Sequence, residues 1–297
     1  MLIPEIHTDD ASPDSAVQGD PGRVLQQRLQ SVHDYLVLAA TRHEESPEYV
    51  HQLRISTRRA IAAIDLFQDA LTPAEFKWWK RNLRRVRRAA GNARDLDVFA
   101  MRYAKKSIMN RNSRLARRIR KRRRQATVPI RRLQEKLCNS GRFARQRTRL
   151  LETLQLESAE TILSHSLTAR LEKVYQRFLR AYRKTEFSKG RFSTAKLHRL
   201  RIRTKQLRYA IDVSADFMPA IREQTLYSII RNLQTKLGDL NDHAAAAQRF
   251  EKWMLEADSR KEQRRLKKQL KFEREQLHQI RKALRKKWHT DFPDHLL

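Results

Sequence analysis

A chain of 297 residues with 40% hydrophobic residues is long enough for one or two packed domains and too apolar to be disordered throughout. Its 65 Lys+Arg against 33 Asp+Glu leave a formal net charge of +32, whose self-repulsion calls for a neutralising polyanion: nucleic acid, polyphosphate, an anionic membrane or an acidic protein. The lone Cys138 excludes an internal disulfide and a cysteine zinc cluster and suits a reducing cytoplasm, and the absence of any apolar run of about 18 residues leaves no membrane span to expect.

Gly and Pro, at 6 and 8, are too few for a strand-and-turn protein, so long helices are expected throughout. Residues 1–20 carry Pro4, Pro13, Gly19 and five acids, lack the features of a secretory leader, and read as a disordered acidic tail. From Pro21, Leu25, Leu29, Val32 and Leu36 recur at helical spacing. Ser46-Pro47-Glu48 signals a second helix running to about Asp69, and Thr72-Pro73 a long third one running to about Lys106. Between Arg102 and Arg149 the only acid is Glu135; this stretch is expected to form a basic arm, helical at first and broken near Pro129 and Gly141. A second set of helices starts near Ser158, with Leu167, Leu171, Val174 and Phe178 on one face and an end at Lys189-Gly190. Ser193 caps the next helix, Met218-Pro219 separates it from one through Leu226, Leu233, Leu237 and Leu240, and a last helix buries Leu266, Leu270, Leu277, Ile280 and Leu284.

The two sets repeat one another at a constant offset of 147 residues. His51-Gln52-Leu53-Arg54-Ile55-Ser56-Thr57-Arg58 aligns with His198-Arg199-Leu200-Arg201-Ile202-Arg203-Thr204-Lys205, Ala63-Ile64-Asp65 with Ala210-Ile211-Asp212, and Arg84, Gly91 and Asp95 with Arg231, Gly238 and Asp242. One register across separate motifs predicts an all-α fold of two similar helical units related by a pseudo-twofold, over 21–155 (with the basic arm near 102–149) and 156–297.

At 100° per residue, Leu53, Thr57, Ala60, Ile64 and Phe67 form a core stripe, while His51, Arg54, Arg58 and Asp65 fall opposite. Leu200, Thr204, Leu207 and Ile211 lie against His198, Arg201, Lys205 and Asp212 in the same way, with Arg208 near the edge. A linear phosphate chain would meet such a row with several side chains at once, each charge-assisted hydrogen bond contributing on the order of 1.5–3 kcal/mol. Asp65 and Asp212 are expected to fix neighbouring cations, and Gly91 and Gly238 to serve close helix packing. Arg and Lys keep their charge near neutrality, so any pH dependence of binding between about pH 8 and 6 is assigned to His51 and His198.

These motifs resemble those of the CHAD family, the conserved histidine α-helical domain: His51-x-Leu-Arg with Arg58-Arg59, His198-x-Leu-Arg with Lys205-x-Leu207-Arg208-Tyr209, Gly91-x-x-Arg94-Asp95-Leu96-Asp97-Val98, and Leu237-Gly238-Asp239-Leu240-Asn241-Asp242. The resemblance spans about residues 21 to 290. It implies a pair of four-helix bundles whose basic surfaces bind inorganic polyphosphate without catalysis, in the cytoplasm and, for some members, on polyphosphate granules. By that similarity the contacts are His51, Arg54, Arg58, Arg84, Arg88, Arg94, His198, Arg201, Lys205, Arg208 and Arg231. Thr235 and Asn241 replace Arg88 and Arg94 in the second copy, which weakens that half.

No phosphate-binding glycine loop, metal-binding His pair or alternating acidic strand is present, so neither catalytic residues nor a metal or other cofactor are expected. Asp95 and Asp97, two apart on a helix, point different ways. The alternative is a sequence-independent nucleic-acid binder, with the basic arm adding weak contacts. Aromatics at 7% argue against base stacking, and Phe76, Trp79 and Trp253 stand at core spacings.

Overall fold

The computed structural model describes residues 20–104, 114–156, 160–185, 193–218, 221, 225–257, 259–286 and 288. The tail over 1–19, the Lys189-Gly190 helix end, Ser158 and Pro219 lie outside them. The described residues form nine α-helices with short 3-10 and π turns and no strand: α1 (Pro21–Thr41), α2 (Glu48–Leu66), α3 (Pro73–Ala104), α4 (Arg114–Gln134), α5 (Arg142–Leu156), α6 (Glu160–Arg183), α7 (Thr194–Ser214), α8 (Thr225–Leu255) and α9 (Arg260–Lys286).

Side chains written into the sequence start the helices. The Asp20 carboxylate accepts from Gly22 N (2.8 Å) and Arg23 N (3.1 Å) ahead of Pro21, and the Ser46 hydroxyl accepts from Glu48 N at 3.1 Å. Thr72 and Glu75 form a reciprocal box, in which Glu75 Oε2 accepts from Thr72 N at 3.0 Å and Thr72 Oγ1 from Glu75 N at 3.3 Å. Ser193 caps α7 through an extended backbone, with no side-chain hydrogen bond.

α1, α2, α3 and α4 pack in a closed ring, α1 meeting α2 and α4, and α3 meeting both, with α5 laid against α1. Their centre holds Leu25, Leu29, Val32, Leu53, Ile64, Trp79, Val86 and Ile130. α6 to α9 enclose a second core of Phe178, Leu200, Leu207, Leu233, Leu237 and Leu284, closed by the stacked rings of Tyr182 and Trp288 at 5.0 Å. Trp253, placed in the core by its spacing, is fully buried with Phe99, Tyr103 and Phe250 in a third cluster joining α3 and α4 to α8 and α9.

α2 also packs directly on α7. Phe67 and Phe217 meet edge-on at 5.4 Å, and Arg28 pairs with Asp216 at 2.9 Å. Leu53 with Thr57 and Leu200 with Thr204, which stand 147 apart, turn to the two cores, and each threonine hydroxyl donates to the leucine carbonyl four residues back.

The basic stretch departs from the arm expected of it. Over Arg114–Gln134 it is a bundle helix with Ala116, Ile119, Thr127, Ile130 and Leu133 buried. The charge is uncompensated within the stretch, but part of it finds carboxylates far away in sequence. Arg122 pairs with Glu256, Arg123 with buried Asp97, Arg124 with Glu44 at 3.2 Å, and Arg118 lies 3.7 Å from Glu262. The helix does not break at Pro129: the ring removes one backbone donor, and the buried residues on either side hold the helix together. It ends in a π turn over Glu135–Asn139 and at Gly141, whose φ of 67° suits a residue without a Cβ.

Candidate polyanion-binding site

The packing of α2 on α7 turns the two repeated basic faces towards one another. Arg54 and Arg58 of α2 lie close enough to Arg201 and Lys205 of α7 to act on their ionisation. Burial lowers the Arg54 guanidinium to about 10, helped by Arg58, Arg94 and Arg201 against the pull of Asp95. Burial lowers Arg201 too, opposed by Asp242 and Asp95, with Arg58 adding to the fall. Lys205 falls furthest: burial, then Arg58, Arg201 and Arg54, bring it to about 7 against the pull of Asp242. This corrects the expectation that every lysine and arginine keeps its charge through neutrality. His51 is held below its ordinary value by burial and then by Arg94, so it carries less charge near neutrality than an exposed histidine.

The two aspartates link the halves. Asp95 of α3 acts on Arg54 and Arg201, while Asp242 of α8 acts on Arg201, Lys205 and Arg94. Asp97, two residues on, is buried and paired with Arg123 instead, so Asp95 and Asp97 point apart as their spacing predicts. Asp65 fixes a neighbouring cation, accepting from the buried Lys80, whereas Asp212 accepts from Tyr227 Oη at 2.6 Å and lies 3.7 Å from Arg208.

What sets this cluster apart is that its cations have no partners. Among the described residues, the side chains of His51, Arg54, Arg58, Arg94, Arg201 and Lys205 make no hydrogen bond or ion pair, and Arg201 Nε is buried without an acceptor. The half-buried arginines of α4, by contrast, reach carboxylates. Leaving partly desolvated cations unpaired is unfavourable, so the free protein is electrostatically frustrated here and an external anion relieves it.

The remaining expected contacts sit further out. Arg84 and Arg88 are exposed on α3 and reach the cluster through Arg87, whose pKa is lowered by lost hydration and then by Arg58, Arg84 and Arg88. His198 is exposed near the start of α7. Arg208 leans on its own helix, 3.7 Å from Asp212 and 4.8 Å from the centre of the Tyr209 ring. Arg231 is exposed, 5.9 Å from the centre of the Tyr227 ring. Arg87 escapes the sequence reading because its counterpart is Gln234, so the repeat does not mark it, and the family resemblance does not single it out as it does Arg88 and Arg94.

Of the two mid-helix glycines, Gly91 faces this side. A Cβ on Gly91 would come within 3.2 Å of Arg54 Nη1, while one on Gly238 would meet nothing within 4 Å. Gly91 therefore makes room for a guanidinium rather than for a neighbouring helix, and Gly238 borders open space. Gly91→Ala should weaken polyanion binding several-fold by displacing Arg54. Gly238→Ala should leave binding unchanged and stabilise α8 by about 1 kcal/mol. Dissociation constants and melting temperatures of both variants check this; equal effects on binding would remove the Gly91 contact from the site.

Among the described residues, no group of His, Cys, Asp and Glu could hold a metal ion and no helix is long and apolar enough to cross a membrane. The family model of the CHAD domain matches residues 23–251. A solved structure, the crystal structure of the CHAD domain from the plant Ricinus communis, is 21% identical, with 92% of each chain covered and a TM-score of 0.58. No curated protein matches the chain.

Proposed function

This chain belongs to the CHAD domain family, and from that premise we propose that it binds inorganic polyphosphate, non-catalytically, across the paired basic faces of α2 and α7. The observation that carries this reading is the set of partly buried, unpartnered cations His51, Arg54, Arg58, Arg94, Arg201 and Lys205 gathered from both halves of the chain. Arg84, Arg87 and Arg88 extend the path along α3, and His198, Arg208 and Arg231 widen it on the second half. Two like units of a pseudo-twofold duplication each contribute one wall.

The anion this cluster suits is dense in charge and slender. Polyphosphate places one charge on every repeat of a flexible chain, so adjacent guanidiniums each meet an oxygen. Duplex DNA is wide and stiff, and it meets a row recessed between helices less well. The aromatics that would stack bases are in the core: Trp79, Trp253 and Trp288 are fully buried. Arg122 and Arg123 of α4, in the stretch expected to add polyphosphate or nucleic-acid contacts, are engaged with carboxylates of the fold. On this reading the protein works in the cytoplasm, on polyphosphate granules where these form.

Competition tests the choice of ligand. At about 150 mM salt, where weak surface electrostatics is screened, long-chain polyphosphate should displace labelled random duplex DNA at a lower concentration of charge than unlabelled DNA does. Equal or better displacement by DNA would move the function to nucleic-acid binding.

A further inference from the structure

The geometry points to Lys205 as a covalent modification site, its ε-amine accepting acyl groups from small acyl phosphates held by the guanidinium groups around it. The inference rests in part on the polyphosphate reading, because both use the same cluster of cations. Lys205 sits on α7 between the buried Thr204 and Leu207, half-buried itself, and among the described residues its side chain makes no hydrogen bond or ion pair. Arg201 stands one turn before it on the same helix, with a buried Nε that has no acceptor. Arg54 and Arg58 approach from α2, and Asp242 from α8 supplies the opposing charge that acts on it.

An amine accepts an acyl group only when it is unprotonated, reachable and close to whatever holds the donor. Lys205 meets the first condition at neutral pH, because burial and then Arg58 and Arg201 lower it to about 7. An ordinary lysine, near 10.4, holds only about 0.04% free amine there. Partial exposure meets the second condition. The unpartnered guanidiniums meet the third, since a phosphate monoanion or dianion is the group they suit best. Desolvation and neighbouring cations are the usual means by which a lysine becomes a nucleophile.

The step is an acyl transfer. The amine lone pair attacks the carbonyl carbon of the acyl phosphate, and the bond from that carbon to the phosphate oxygen breaks. Inorganic phosphate departs with the electron pair, and the proton lost from nitrogen passes to phosphate or water. Nothing is oxidised or reduced. The guanidiniums neutralise charge on the leaving phosphate. The product is a neutral amide, so acylation deletes one cation of the cluster and weakens polyphosphate binding, and bound polyphosphate shields the amine from the donor.

The full chain is incubated with acetyl phosphate at about pH 7.5, with and without saturating long-chain polyphosphate, and acetylation of each lysine is followed by peptide mass spectrometry. Lys205 should react at least about 10-fold faster than Lys267 and Lys268, which are exposed on α9, and polyphosphate should suppress its reaction. An uncharged acetyl donor should show a smaller preference for Lys205; an equal preference would overturn the role given to the guanidiniums. Lys205 reacting no faster than the α9 lysines would overturn the proposal. Fast reaction that polyphosphate leaves unchanged would instead keep the modification site and remove Lys205 from the polyphosphate contacts.

Discussion

Polyphosphate should bind about 100-fold more tightly near pH 6 than near pH 9, with Lys205 as the main source of the difference. In the free protein, burial and the neighbouring cations Arg58, Arg201 and Arg54 hold Lys205 to about 7, so it is charged at pH 6 and almost wholly neutral at pH 9. A bound polyanion reverses the local sign and returns the amine to at least its ordinary value near 10.4. Binding is then linked to proton uptake. The affinity is full below about pH 7 and falls as pH rises from there towards the pKa of the complex.

Stability of the free protein moves the other way. A lysine whose folded pKa lies below its unfolded one opposes folding while it is charged, so the fold gains stability as pH rises from about 7 towards 10. His51, held below its ordinary value, adds a smaller proton-linked gain in affinity at the acid end of the range. Lys205→Met should bind more weakly than the parent at both pH values, with the larger deficit near pH 6, and show little slope between them. Lys205→Arg, charged throughout, should stay tight with little slope. Isothermal titration of long-chain polyphosphate, in two buffers of different ionisation enthalpy, reads both affinity and proton uptake. Long chains keep the weakly acidic end groups negligible. A parent-like slope in both variants would return the pH response to His51 and His198.

The helices and the faces they present were legible in the sequence because both follow from period. Leu53, Thr57 and Ile64 had to turn inward, so Arg54 and Arg58 had to turn out, and the repeat 147 residues on said the same of Arg201 and Lys205. That α2 would lie on α7 and bring the two outward faces together was not legible, since helical periodicity carries no information on which helices adjoin. The lowered pKa of Lys205 follows from that packing, so the sequence pointed to the histidines as the titrating groups. Arg87 was missed because neither the repeat, where Gln234 is its counterpart, nor the family resemblance marks it. The stretch around Arg118 to Arg124 misled for a related reason: its partners Glu256, Glu262 and Asp97 lie far off in sequence, so charge that looked free is neutralised by tertiary contact. Pro129 misled because a helix buried on both sides of a proline can keep its course.

Neutralising the cluster should abolish tight binding while leaving the fold intact or firmer. Arg54, Arg58 and Arg201 lie off the apolar stripes, so their replacement by Gln opens no core cavity and relieves repulsion among unpaired cations. Three charge-assisted hydrogen bonds at about 1.5 kcal/mol each correspond to a loss of about 1,000-fold, and partial compensation by Arg84, Arg87, Arg88 and Arg94 brings the expected loss to about 100-fold or more. The melting temperature of the unliganded variant should equal or exceed that of the parent, as removal of a structural ion pair would not allow.

The comparison that isolates the site removes equal charge elsewhere. Arg264, Lys267 and Lys268 are exposed on α9, and the nearest charges acting on Arg54, Arg201 and Lys205 come from α2, α3, α7 and α8 instead. Polyphosphate dissociation constants are measured at about 150 mM salt for the parent, for the variant with Arg54, Arg58 and Arg201 changed to Gln, and for the variant with Arg264, Lys267 and Lys268 changed to Gln. The α2 and α7 variant should lose about 100-fold or more and the α9 variant less than about 5-fold; equal losses in the two would show that net charge, and not the paired faces of α2 and α7, holds the ligand.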